Sequence, residues 1–280
     1  MISSSGRLRV ATYNIHRALG RDGRLDPDRV ADVILGLDAD LVALQEVETP
    51  LVSTPAALLG RLADAGYEPL LGPTITSDRH SYGNVLLTRL PVLACSRVDI
   101  SVAQREPRGL IDARLALPPA AGSHPGGDPG TALRCLATHL GLNAAERRRQ
   151  IKRVAEQIDA GRDSGNRRVA PTILLGDFNE WWPRDRLKPI DNRLERTPAR
   201  ATWPSRWPLL ALDRIWYGGA LNLDRMHVVS SRQARVASDH LPLVARFRLT
   251  VANGAATPSQ NSTCISSALL FNPKRAISGV

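Results

Sequence analysis

The 280-residue sequence is poor in lysine: Lys152, Lys188 and Lys274 are the only three among 37 basic residues. The net charge of +10 is therefore carried by arginine. Such a surplus invites a polyanion, yet guanidinium groups fork equally well onto a single small phosphate, so charge alone does not choose the partner. Aromatic residues make up only 4% of the chain, which leaves few rings to stack on bases or wedge a duplex. Cysteine is scarce and odd in number (Cys95, Cys135, Cys264), without metal-like spacing, and reads as reduced and structural, as in a cytoplasm. There is no Cys/His zinc pattern and no phosphate-cradling glycine loop. No apolar run approaches the ~18 residues of a membrane span, and "MISSSGRLRVATYN" lacks the apolar core of a secretory leader. The expectation is a soluble, cytoplasmic, monomeric protein without stable membrane insertion.

What is present is enough apolar material, 43%, for a sizeable core. "LRVATYN" (8–14) and "LVALQE" (41–46) read as strands. Between them lies a helix with Asp26 as N-cap, Pro27 at the first position and Val30, Val33, Ile34 and Leu37 on one face. A second helix is expected from Thr54 and Pro55 to about Gly66. Four strand-like runs follow, "GNVLLTR", "PVLACSRVDI", "GLIDARLAL" and "LRCLATHL", with "PPAAGSHPGGDPG" as a surface loop. Asn143 to Gly161 is the clearest helix, with a capping-box pattern at Asn143 and Glu146 and an apolar stripe of Ile151, Val154, Ala155 and Ile158. "PTILLGDF", "LLALDRIWY" and "PLVARFRLTV" complete the strands. This order suits two mixed sheets packed face to face with helices outside, over residues 1–252 as one domain. The polar composition of 253–280 reads as a disordered tail.

Polar residues interrupt these strand ends repeatedly: Asn14, Glu46, His139, Asp177 and Asn179, Asp213, and Asp239 with His240. Singly, each has a plain reading as a turn residue, a cap or a hydrogen-bonded core group. Together they supply what metal-assisted attack of water on phosphorus requires: oxygen ligands for a hard cation, a base or orienter for water, and groups to steady the departing oxygen.

"ATYNIH", "LVALQEVE", "YGNVLLTR", "CLATHLGL", "ILLGDFNE", "LLALDRIWY" and "ASDHLPLVARF" resemble, in order, the signatures of the endonuclease/exonuclease/phosphatase superfamily with its deoxyribonuclease I-like fold. The resemblance spans about Leu8 to Val251, and "TWPSRWPLLALDRI" is similar to a segment of compact bacterial members. It implies an α/β fold, a four-layer α/β/β/α sandwich of two mixed β-sheets, with a Mg²⁺-dependent phosphoesterase site for which Mn²⁺ can substitute. It makes Asn14, Glu46 and Asp239 the metal residues and His139, Asp177, Asn179, Asp213 and His240 the catalytic group, His240 being paired with Asp213. It gives Asn84 and Arg105 as substrate contacts. Arg108 is equally near Arg105, and His16 and Arg17 could line the site.

The resemblance implies a phosphate-ester substrate, either nucleic acid or a small molecule such as a phospholipid headgroup. Trp181, with Trp182 beside it, is a substrate-binding candidate that could stack on a base, lie against a headgroup or simply pack. The arginine-rich helix face from Arg147 to Arg153 could track a nucleic-acid backbone, or be a solvated face. The leading reading is a phosphodiesterase or phosphomonoesterase, with a nuclease as the alternative within the same mechanism. A phosphate-binding protein without catalysis is the alternative of another class.

Overall fold

Alternation with a period of two runs through the strands and sorts their side chains between two faces. In β1 (Arg7–Asn14), Leu8 and Val10 enter one apolar layer while Ala11 and Tyr13 enter another. The same division holds in β8 (Thr172–Asp177): Ile173 and Leu175 join Leu8 and Val10, whereas Leu174 turns away. Strands buried on both faces in this way must lie in the middle of a layered fold.

The computed structural model describes residues 6–50, 57–117, 132–161, 170–182 and 185–249. The remaining strands are β2 (Leu41–Pro50), β3 (Glu68–Thr76), β4 (His80–Thr88), β5 (Val92–Asp99), β6 (Gly109–Ala116), β7 (Ala132–His139), β9 (Glu195–Arg196), β10 (Asp213–Gly218), β11 (Leu221–Val228) and β12 (Leu243–Leu249). They form two six-stranded sheets, ordered β11-β12-β1-β2-β4-β3 and β5-β6-β7-β8-β10-β9. Each sheet is mixed: β1 pairs parallel with β2, and β7 parallel with β8, among antiparallel neighbours.

Leu8, Val10, Ala113, Cys135, Leu175 and Phe247 represent the layer between the sheets. Helices α1 (Pro27–Gly36), α2 (Ala57–Asp64) and the short α5 (Ala234–Ala237) cover the outer face of the first sheet through Val30, Ile34, Leu62 and Ala234. Helix α3 (Ala144–Ala160) and the short α4 (Lys188–Asp191) cover the second through Ile151, Val154, Ile158 and Ile190. The expected four-layer sandwich is the observed fold.

The helix starts follow from their caps. Asp26 accepts a hydrogen bond from the Arg29 amide at 2.9 Å, with Pro27 in the first turn. Asn143 accepts from the amides of Ala145 and Glu146. The capping box itself does not close, because the Glu146 carboxylate accepts from Gln150 Nε2 instead. The Thr54–Pro55 start of α2, the 118–130 loop, Cys264 and the tail lie outside the described residues. Three strands were not expected from the sequence. Pro69, Gly72 and Pro73 disguise β3, the alternation of β11 is broken by the bulge between Leu223 and Arg225, and β9 has two residues.

Candidate active site

The alternation that builds the core also builds the site. Continuing the inter-sheet parity of Leu8 and Val10 along β1 arrives at Asn14. Leu133, Cys135 and Ala137 in β7 lead to His139, Ile173 and Leu175 in β8 lead to Asp177, and Tyr217 and Ile215 in β10 lead back to Asp213. Strand register then aligns them: His139 pairs with Asp177 across β7 and β8, and Asp213 with Asp177 across β10 and β8. Polar side chains thus replace apolar ones where the inter-sheet layer reaches the edge of the sandwich.

At that edge the two sheets are joined by polar contacts. Asn14 Nδ2, from the first sheet, donates to Glu46 Oε1 at 3.0 Å and to Asp177 Oδ2, from the second, at 3.1 Å. Asn14 Oδ1 in turn accepts from the His16 amide at 3.0 Å. Glu46 reaches this point through a bulge. Leu44 and Val47 both face the helical layer although three residues apart, and the extra residue is accommodated with Glu46 at φ +58°. Asn179 is likewise left-handed, at φ +49°. Such conformations cost of order 1–3 kcal/mol each and persist where surrounding structure enforces them.

Asp177 lies between two imidazoles, 3.6 Å from His139 Nε2 and 3.7 Å from His240 Nε2. His240 Nδ1 is 2.9 Å from Asp213 Oδ2, which also accepts from Thr202 Oγ1 at 2.5 Å. Burial of His240 opposes its protonation. The carboxylates of Asp213 and Asp177 outweigh that cost and push its pKa up to about 10. His139 goes the other way: burial, then the charge of Arg108, press its pKa down to about 3. One imidazole is therefore held as a cation and the other neutral at pH 7.

Asn14, Glu46, His139, Asp177, Asn179 and His240 line a cleft of about 540 Å³ that also takes in His16, Arg17, Tyr82, Arg108, Trp181 and Trp203; Asp213 is not in its wall. Asp239 is fixed there by Trp203 Nε1 at 3.1 Å and Ser238 Oγ at 3.4 Å. Glu46, Asp177, Asp213 and Asp239 form no ion pair with lysine or arginine among the described residues. Carboxylates without a lysine or arginine partner, Glu46 and Asp239 above all, make a fitting environment for a hard divalent ion. The tightest group of ligand-type atoms is Asp177, Asp213 and His240, within 4.8 Å of one another and all buried. Because His240 and Asp213 engage each other there, the half-buried Glu46 and Asp239 are the more accessible carboxylates for an ion arriving with substrate.

Two of the expected substrate contacts lie elsewhere. Asn84 is buried with its Nδ2 donating to the Gly109 carbonyl at 3.1 Å, and it does not line the cleft. Arg105 is exposed in a turn, and Arg108 takes the cleft position, Nη1 lying 3.1 Å from His139 Nδ1. Trp181 does line the cleft. It and Trp182 are 51% and 65% exposed, so packing does not explain them.

Their loop is tied down by Glu180, fully buried, which accepts from Arg147 Nε at 3.2 Å and from the Trp182 amide at 3.1 Å. Arg147 Cζ stands 5.4 Å from the Trp181 ring centroid. The basic run on α3 is thus not one solvated face, since Arg147 is a buried anchor. Tyr82 and Glu106 also line the cleft; Tyr82 opens the "YGNVLLTR" signature without having been singled out there.

This fold and this edge define the endonuclease/exonuclease/phosphatase family, whose sequence profile matches residues 11–240, and the chain belongs to it. It is accordingly a hydrolase acting on phosphate ester bonds. It is 30% identical over 260 residues to protein YbhP of Escherichia coli K12, with 86% of this chain and 96% of that one aligned. An endonuclease/exonuclease/phosphatase from Beutenbergia cavernae superposes with a TM-score of 0.66 at 25% identity, covering 87% of this chain and 72% of the other. The catalytic domain of human Nocturnin, with a bound sulfate anion, shares the fold at TM-score 0.67 and 20% identity, covering 87% and 95%.

Proposed function

We propose that the chain hydrolyses a phosphodiester or phosphomonoester with the help of Mg²⁺, for which Mn²⁺ can substitute. The observation that carries this reading is the bridging amide of Asn14, which ties a carboxylate of each sheet, Glu46 and Asp177, to one point on the cleft wall. Glu46 and Asp239, with Asn14 beside them, would hold the cation, whose charge when bound offsets the negative charge gathering on the phosphate oxygens.

The chain's own groups divide the remaining work. In this reading Asp177 orients the attacking water and accepts its proton. The His240 imidazolium, kept charged and oriented by Asp213, faces the phosphate oxygens as they gain charge. Asn179 fixes the rim, its Nδ2 donating to the Leu140 carbonyl at 2.9 Å and lying 3.0 Å from His139 Nε2. His139 contributes as a neutral hydrogen-bonding group. Its depressed pKa speaks against use as a proton-donating imidazolium. Among the described residues no helix is long and apolar enough to cross a membrane, which suits a substrate met at a surface or in solution.

The test is one panel under one Mg²⁺ condition: plasmid and abasic DNA, RNA, phospholipids, inositol phosphates and a bis-aryl phosphodiester. At least one ester should turn over, turnover should cease with a chelator, and added Mg²⁺ or Mn²⁺ should restore it. Full activity after exhaustive chelation would overturn the metal-assisted mechanism.

A further inference from the structure

Beside the cleft lies a second depression, of about 480 Å³, lined by Arg21, Arg206, Arg232, Arg235 and Val236. Four guanidinium groups and no carboxylate meet there. None of the four arginines is ion-paired with an acidic residue among the described residues, although the chain elsewhere pairs arginine freely, as in Arg29 with Asp22 and Arg61 with Asp32. Like charges crowded without counter-charge repel one another, and an anion placed among them relieves that cost.

The depression is built into the framework of the cleft. Three segments wall both: the turn after β1 gives His16 and Leu19 to the cleft and Arg21 to the depression, the stretch before β10 gives Trp203 and then Arg206, and the approach to β12 gives Asp239 and, upstream, Arg235. The segments are fastened together. The Arg21 amide donates to the Val236 carbonyl at 2.9 Å, and the Ser205 amide to the Asp239 carbonyl at 2.7 Å. Ser205 Oγ donates to the Ser238 carbonyl at 2.7 Å, and Arg235 Nη1 to the Arg206 carbonyl at 2.8 Å. At no more than ~3.6 Å per residue, the four steps from Asp239 to Arg235 span at most about 14 Å. The Arg235 backbone therefore stands within that span of Asp239, and hydrogen bonds tie the Arg21 and Arg206 segments to it.

We propose that this depression is a second phosphate subsite, and that the substrate carries a second phosphate group held there while the first reacts. The inference rests on the phosphoesterase reading for its reacting phosphate, but the subsite is a binding claim in its own right. It takes a phosphate because guanidinium forks match phosphate oxygens and four of the five lining residues are arginines. The second phosphate selects substrates by charge and spacing, a property that the catalytic edge alone does not supply.

The test measures binding to full-length His240→Ala protein in Mg²⁺, with and without the added pair Arg206→Gln and Arg232→Gln. Both arginines are exposed and neither makes a side-chain bond to the framework among the described contacts. The probes are oligothymidylates carrying one to four phosphates, and in a separate arm a polyol bearing one or two phosphates. Affinity should step upward by about tenfold once a second phosphate can reach the subsite, and the double variant should erase that step while lowering the salt slope by about one. Arg206→Lys with Arg232→Lys should retain part of the step, since the charge remains.

A step in the nucleotide arm alone, or in the polyol arm alone, supports the subsite and identifies the source of the phosphate. Affinity indifferent to phosphate number in both arms, or lost equally for one-phosphate and two-phosphate probes in the variant, overturns it. Failure of the phosphoesterase reading looks different: wild-type protein would turn over no ester while the phosphate-dependent step in binding persisted.

Discussion

Arg108 Nη1 lies 3.1 Å from His139 Nδ1 in the wall of the cleft. Asn179 Nδ2 lies 3.0 Å from the other ring nitrogen, Nε2, which faces Asp177 at 3.6 Å. The guanidinium and the amide nitrogen are both donors, and a neutral imidazole has one acceptor nitrogen, so the ring accepts from one of the two at a time. Donors on both sides of the ring, one of them a charged guanidinium, disfavour a second ring proton. The contrast with His240, whose Nδ1 instead meets the Asp213 carboxylate, gives two neighbouring imidazoles opposite charge states.

His139 should show no imidazole titration between pH 5 and 8 when followed by ¹⁵N NMR, and Arg108→Met should move its pKa upward from about 3. An unmoved pKa would show that burial alone depresses it. The linkage has a definite sign: the unfolded chain gains this proton near the model-peptide value of ~6.5 while the folded chain holds out until about 3. Stability should fall as pH drops through that window, and His139→Gln should flatten this component in denaturant titrations.

Asp213→Asn should keep an acceptor for Thr202 Oγ1 and leave the fold intact by circular dichroism, yet weaken both the orientation and the charge of His240. Turnover should drop by roughly 10²–10⁴, the range for a general acid or base and its orienting partner. Turnover equal to wild type would remove the dyad from the chemistry.

Gly176 adopts φ +153°, and a Cβ there would lie 1.9 Å from the Thr138 carbonyl oxygen on β7. The glycine therefore serves strand approach within the sheet. Gly176→Ala must part β7 from β8, at a cost of about 3 kcal/mol. Thermal melts should show a midpoint lower by roughly 6–12 °C, and an unchanged midpoint would mean the strands yield freely.

Arg147→Met should leave the Glu180 carboxylate without its buried cationic partner, although the half-exposed Arg186 remains 3.2 Å away. Removing one member of a buried pair costs about 3–5 kcal/mol, and Arg186 should hold the loss to the lower end. Denaturant unfolding measures this, and a shift in tryptophan fluorescence should report loosening of the Trp181–Trp182 loop. Wild-type stability with an unchanged spectrum would show that Glu180 does not anchor it.

The sequence by itself determined which face of each long strand turns inward, because side-chain alternation depends only on adjacent residues: "LRVATYN", "CLATH", "ILLGD" and "DRIWY" each carry their polar terminus in phase with buried apolar positions. It also marked the residues that meet at the edge, from Asn14 to His240. The tertiary structure decided what those residues do to one another. The row of His139, Asp177 and Asp213 depends on register between strands more than 30 residues apart, and the bulge that carries Glu46 outward depends on pairing with β4. Choosing Arg108 over Arg105 required knowing which of two neighbouring guanidiniums the turn buries. The four-arginine depression has no local signature at all, since three distant segments each supply a part and only their packing puts the charges together.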